Sequence, residues 1–345
     1  MKTFWKILRY VILIAIIAFA INRVIPQLKD FSTIWELKNS IKWNWVIAAI
    51  GAQFFQYVGD GWLSLLLLKI INIRMKLKDT FRIAALNVFA AQFLPIGEAG
   101  GLAAAYHFYK KLGVTTEQFI FLTICWGVIT NTLLILMLIV PVFLLPQVPA
   151  FININTILII LGIVLAIGLV AYMTRHILFK KLEKILGKRS WSKHLMTLIK
   201  NRSVYKKLVS TKKNLYIPVL LSSAIYYAAN IAALSFSFMA FGTFPEITLV
   251  IFAYAASIIF GRITLTPGGI GTAEATLILI FMESGIASSV VVAAVLLYRI
   301  MAFWLPIPGG FISFYSLRKE TGKINTRSLK KELEEETEEF LDEKF

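Results

Sequence analysis

The sequence predicts an all-α polytopic membrane protein folded as an inverted repeat, with three spans and one re-entrant broken hairpin in each half. Three observations carry that expectation. Apolar runs dominate: 58% of the 345 residues are hydrophobic and the mean hydropathy is +0.74, where a soluble domain averages about 45–50% apolar residues. Two of the runs are interrupted by proline and glycine at corresponding places. The Lys/Arg-rich connections then sort to one side of a membrane only if those two interrupted runs turn back instead of crossing.

The sharper interruption is TPGGIGTAEATL, residues 266–277, inside the apolar stretch 247–282. Pro267 removes a backbone donor and clashes with the preceding turn. Gly268, Gly269 and Gly271 admit left-handed geometry. Freed backbone groups are tolerated at membrane depth only where protein or a wet cavity satisfies them. Two half-helices are therefore expected, over 247–263 and 271–282, with Glu274 about one turn into the second. A looser copy, QFLPIGEAGGLAAAYHF at 92–108, holds Gln92, Pro95, Gly97 and Glu98. The spacing from Pro95 to Pro267 is repeated from Thr116 to Ser288, which open the runs after each break. Asn44 and Asn214, before the breaks, keep nearly the same spacing. Interrupted apolar segments in matching halves are the best sequence pointer to a transport site.

Taken in order, the first run is residues 11–21, behind a basic N-terminus. Ala18-Phe19-Ala20 resembles a cleavage site, but a retained anchor supplies the partner of the fifth run. The second run, 43–68, holds Asp60 deep within it. A basic patch of Lys69, Arg74, Lys76, Lys78 and Arg82 precedes the first broken segment, 83–109, which ends at Lys110 and Lys111. The fourth run is 119–145, the fifth 154–173. Residues 174–213 carry thirteen Lys/Arg against Glu183 alone. A nucleic-acid binder could look like this, but in a membrane chain a basic stretch is a cytoplasmic loop touching anionic headgroups. The net charge of +17 therefore implies no nucleic acid. The sixth run is 216–241, the second broken segment 247–282, and the last run 287–315. The tail, 318–345, is highly charged and a solvated or partner-binding helix.

The Lys/Arg-rich connections (the N-terminus, 69–82, 110–111, 174–213 and the start of the tail) go to the cytoplasm. The connections without Lys/Arg, 146–153, 242–247 and 283–286, go outside. Then 83–109 starts and ends inside, and 247–282 starts and ends outside, so each is a hairpin with arms about half a bilayer deep. Three crossings per half invert the second half relative to the first, with both termini cytoplasmic. One misfit is 22–42, an outside connection with four Lys/Arg. The rival reading is eight full transmembrane helices. The resulting division is a transmembrane domain over 1–317, with repeats at about 5–145 and 154–317, and a charged cytoplasmic tail over 318–345.

Deep polar groups are few: Asp60, Gln92, Glu98, His107, Arg262, Glu274 and Arg299. Unpaired charges there are strongly disfavoured, so two arginines among three acids point to paired networks. Glu98, Glu274, Arg262 and Arg299 are expected to line a central polar cavity, or else to hold helices in register. Arginine suits a phosphate through its fork. Half-helix N-termini near Gly97 and Gly271 offer N–H groups to an anionic headgroup. No cofactor or metal is expected and no enzyme: there is no ligand cluster with metal spacing, no nucleophile elbow and no phosphate loop. Cys125 has no second cysteine to pair with.

At Leu94-Pro95, Gly97-Glu98, Pro267-Gly268-Gly269-Ile270-Gly271, Glu274, Tyr298-Arg299 and Pro306 the chain resembles the transmembrane region of lysylphosphatidylglycerol synthases and the wider flippase-like family named after it. The likeness covers about residues 5–318. It implies a plasma-membrane translocase for phospholipids, anionic or aminoacylated, or for lipid-linked headgroups. The aminoacyltransferase activity of bifunctional members is not expected here. Two other classes fit the residues: an accessory protein presenting a lipid carrier to a separate glycosyltransferase or aminoacyltransferase, with the tail as docking element, and a small-solute transporter.

Overall fold

The computed structural model describes residues 41–93, 98–111, 113–144, 201–264 and 269–321, and no strand occurs among them. The helices are α1 (Trp43–Ile70), α2 (Leu77–Phe93), α3 (Glu98–Lys111), α4 (Thr116–Leu144), α5 (Arg202–Thr211), α6 (Tyr216–Met239), α7 (Ile247–Thr264), α8 (Thr272–Glu283), α9 (Ser288–Arg299) and α10 (Pro306–Thr321). A 3₁₀ turn, Lys213–Leu215, leads into α6, and a π turn, Ile300–Trp304, joins α9 to α10. The chain is an all-α polytopic membrane protein. The expected runs 11–21 and 154–173, Pro95, Gly97, Pro267 and Gly268, and all but the first residues of the tail lie outside the described residues.

Among the described residues, three stretches are long and apolar enough to cross a membrane: Thr116–Leu144, Lys213–Met239 and Ser288–Leu317. α1 matches them in length, with 28 residues, but carries Gln53, Gln56 and Asp60 in its middle. The arms of the two broken segments are shorter. α2, α3, α7 and α8 have 17, 14, 18 and 12 residues, or about 26, 21, 27 and 18 Å at 1.5 Å per residue. Each falls short of a hydrocarbon core of about 30 Å yet exceeds the half-depth of about 15 Å expected for it. The outward faces of α1, α4, α6 and α10 carry large apolar side chains; Trp43, Ile47, Phe54, Val128, Ile217 and Ile312 are all exposed, as suits lipid and not water.

Local chemistry sets the element ends. α4 opens on a capping box: the Gln118 N–H donates to Thr115 Oγ1 at 3.2 Å, and the Thr115 N–H donates to Gln118 Oε1 at 3.0 Å, satisfying two of the donors that a helix start orphans. Just past the end of α1, Asn72 has a φ of 61° and reverses the chain as the left-handed residue after a helix C-cap does. The π turn precedes Pro306, whose ring would clash with the carbonyl four residues back in a regular helix.

The contacts repeat between halves. Corresponding helices start at a nearly constant spacing along the chain: Trp43 with Tyr216, Leu77 with Ile247, Glu98 with Thr272, and Thr116 with Ser288. So α1, α2, α3 and α4 match α6, α7, α8 and the α9–α10 segment. α2 packs on α3 as α7 packs on α8, and α1 touches α4 as α6 touches α9. α1 and α6 pack along each other, and the hairpins are exchanged: α2 lies on α10 of the second half, and α7 lies on α4 of the first. Two clusters form the core, one centred in each half. The first holds Ala233, Leu234, Phe238, Val250, Phe281 and Val295; the other holds Leu63, Leu68, Ile83, Leu86, Phe108 and Val114.

Two of the helix crossings depend on glycine. A Cβ at Gly59 of α1 would come within 2.6 Å of the Tyr226 nitrogen and 2.8 Å of the Ser222 oxygen on α6. Ser222 and Ser223, both fully buried there, satisfy their hydroxyls on the Val219 carbonyl. Small residues at crossings of this kind let apolar helices approach closely. A Cβ at Gly310 of α10 would collide with Phe89 Cβ on α2 and lie 2.9 Å from the Ala85 carbonyl oxygen. Arg82 of α2 reinforces that contact, bonded to both Asp79 and Ser316.

Candidate functional site

The return from α7 to α8 is made by glycine. Gly269 and Gly271 have φ of 67° and 88°, where a side chain would be strained. A Cβ on Gly269 would sit 3.0 Å from Gly261 Cα, so the turn lies directly on the last helical turn of α7. Gly271 caps α8, and Glu274 at the third helical position folds back on it: the Gly271 N–H donates to Glu274 Oε2 at 2.8 Å. Glycine has no side chain to return the bond, so this is one half of a capping box.

The other oxygen leaves the hairpin. Arg299, the last residue of α9, donates its Nε–H to Glu274 Oε1 at 2.6 Å. Both side chains are largely buried, 14% exposed for Arg299 and 21% for Glu274. The guanidinium also lies 5.2 Å from the centroid of the Phe303 ring in the π turn, a cation–π distance. One carboxylate therefore joins the start of a half-helix to a neighbouring span. This changes one expectation. The half-helix N-terminus does not present all its N–H groups to a ligand, because Glu274 takes that of Gly271.

Arg262 takes a different partner. Its Nη1 donates to Asn131 Oδ1 on α4 at 2.7 Å. Asn131 in turn donates its Nδ2–H to the Gly127 carbonyl. Asp60 of α1 also turns to α4, accepting the Trp126 Nε1–H at 2.9 Å. Between these, the Tyr227 hydroxyl of α6 donates to the Thr130 carbonyl at 2.9 Å. Positions 126–131 of α4 thus gather polar groups from α1, α6 and α7. The Tyr226 ring packs edge-on against that of Tyr227, with centroids 5.0 Å apart.

Of the residues singled out in the sequence, Glu274 and Arg299 are brought into contact. Arg262 and Asp60 are brought to one stretch of α4. Gln92 and Glu98 lie on α2 and α3 by their backbones, and their side chains lie outside the described residues. Trp126, Thr130, Asn131, Tyr226 and Tyr227 were not anticipated. Neither were Gln53 and Tyr57, whose buried polar atoms have no hydrogen-bond partner among the described residues. The available signal was the neutral amide: Gln53 and Asn131 interrupt apolar runs as surely as the charged groups do. Among the described residues no three His, Cys, Asp or Glu side chains group as a metal site.

Residues 6–310 match the family described as the lysylphosphatidylglycerol synthase TM region. The chain belongs to this family. Similar curated relatives are UPF0104 membrane proteins of archaea. That of Pyrococcus horikoshii is 31% identical over 141 residues, 40% of this chain and 38% of the relative. That of Methanocaldococcus jannaschii is 30% identical over 101 residues, 29% of this chain and 30% of the relative. The matched stretches thus span well under half of these relatives. Within the lysylphosphatidylglycerol synthase TM family frame, the Glu274–Arg299 pair and the glycine turn are features of an integral membrane domain.

Proposed function

We propose that this chain is a plasma-membrane lipid translocase, not an enzyme, with both termini in the cytoplasm. Its substrate is an anionic or aminoacylated phospholipid, or a lipid-linked headgroup. The observation that carries the reading is the Glu274–Arg299 pair at the broken hairpin. Charged side chains in a membrane interior are costly and mark substrate paths by default. The family's name ties its members to lysylphosphatidylglycerol, whose headgroup carries a phosphate and ammonium groups.

Such a headgroup suits ion-pair exchange. The phosphate takes the guanidinium of Arg299, which matches it through parallel N–H donors. The ammonium takes the Glu274 carboxylate. Each charge then leaves one partner only for another, so none is left buried and unpaired, the state that costs most. After the headgroup passes, Glu274 and Arg299 re-pair. The charged tail, over 318–345, is in this reading a docking element for a cytoplasmic or membrane partner.

The test is translocation in proteoliposomes carrying fluorescent phospholipids of several headgroups, bleached from outside over time. Wild-type protein should move at least one of them, and Glu274→Gln and Arg299→Gln, checked for folding, should not. Wild-type activity that survives in both variants would remove the pair from the path. No movement of any lipid by wild type would leave the accessory-protein reading in its place.

A further inference from the structure

A cavity of about 570 Å³ opens at the C-terminal end of α1. Its walls come from the last turns of α1, the loop behind it, and the 3₁₀ turn that starts α6. Three cations line it: Lys69, Arg74 and Lys212. No acid does. None of the three makes a salt bridge among the described residues. The rest of the wall is Leu65, Ile73, Met75 and Leu215, with the amides of Asn72 and Asn214 among them.

Folding brings these cations to one cavity. The Asn72 turn, closed by the Ile73 N–H on the Leu68 carbonyl at 3.0 Å, sends Arg74 back beside Lys69. Lys212 arrives from the second half of the chain. The corresponding turn after α6, residues 240–246, has Glu246 and no Lys or Arg. Three like charges facing one space repel each other unless an anion occupies it. A water-soluble phosphate would satisfy the cations and leave the apolar wall wet. A glycerophospholipid meets both demands, and basic pockets between membrane helices take anionic headgroups in this way.

We infer that the cavity walled by Lys69, Arg74 and Lys212 is a binding site for an anionic phospholipid of the leaflet that this end faces. The three cations hold the phosphate, and the acyl chains leave along Leu65 and Leu215. The site shares no residue with the Glu274–Arg299 pair, so the inference stands whether or not the chain translocates lipid.

The experiment uses the full chain in detergent, with retention of phosphatidylglycerol and phosphatidylcholine read by native mass spectrometry. The variant is Lys69→Gln/Arg74→Gln/Lys212→Gln. The control is Lys78→Gln/Lys206→Gln/Lys207→Gln, which removes equal charge from exposed positions outside the cavity. Both are checked for wild-type thermal unfolding. Wild type should prefer phosphatidylglycerol by about tenfold, given three partly screened cations. The cavity variant should lose that preference, the control should keep it, and soluble glycerol phosphate should not displace the lipid. Equal loss in both variants would mean diffuse charge and overturn the site. Full displacement by glycerol phosphate would overturn the lipid assignment.

Discussion

Glu274 uses both carboxylate oxygens, one on the Gly271 N–H and one on Arg299, and a glutamine keeps only one acceptor. Breaking a fully buried pair costs about 3–5 kcal/mol. Both side chains here keep some exposure. Glu274→Gln should therefore cost less than that, about 2 kcal/mol, read from unfolding in detergent. The Glu274→Gln/Arg299→Gln double variant should fall short of the summed single costs by at least about 1 kcal/mol, since the two groups are in contact. Additive losses would mean that the pair does not act as a unit. Asp60 behaves differently, because its described bond is a single neutral donor, Trp126. Asp60→Asn keeps an acceptor and should cost less than about 1 kcal/mol, while Trp126→Phe leaves the acid buried and unbonded at about 1–3 kcal/mol. The reverse order would sink this account. Glu274 and Arg299 could be picked from the sequence because charge stands out in an apolar run. Asn131 and Trp126 could not be placed, since their partners, Arg262 and Asp60, lie far off along the chain.

At the scale of the elements, two glycine pairs separate packing from propensity. Gly309 and Gly310 are neighbours on α10. A Cβ at Gly309 meets nothing within 4 Å, while one at Gly310 meets Phe89 and the Ala85 carbonyl. Gly309→Ala should therefore be neutral or stabilising by about 0.5–1 kcal/mol. Gly310→Ala should destabilise by about 1–3 kcal/mol, as overpacking does. Gly51 and Gly59 on α1 repeat the contrast, Gly51 having nothing near it. Equal melting shifts within either pair would show that the α1–α6 and α2–α10 crossings are looser than described. The broken hairpin was readable in advance: the half-helix expected at 247–263 ends at Thr264, and the second begins at Thr272. Proline and glycine announce such breaks through the backbone alone. The glycines at the crossings were not readable, because a close approach depends on which helix lies opposite.

For the whole molecule, the duplicated spacing was visible as matched starting points, Thr116 with Ser288 above all, and the contacts explain what it serves. Each hairpin is covered by the last long helix of the other half, α2 by α10 and α7 by α4, which spacing alone does not disclose. Residues 1–150 and 151–345, expressed separately, should each be degraded, and together they should assemble into a folded, co-purifying complex. A half that is stable alone would mean that its own core suffices. The exchanged hairpins carry a further meaning. The α2–α10 and α7–α4 contacts are one contact made twice, which is the arrangement of an isologous interface. A polypeptide of half this length, inserted in both directions, would present to its twin the surfaces that the two halves present to each other. The single chain is in that sense a two-fold dimer whose subunits have been tethered. The tether freed each copy to diverge, and Lys69 and Arg74 stand in one half where Glu246 stands in the other.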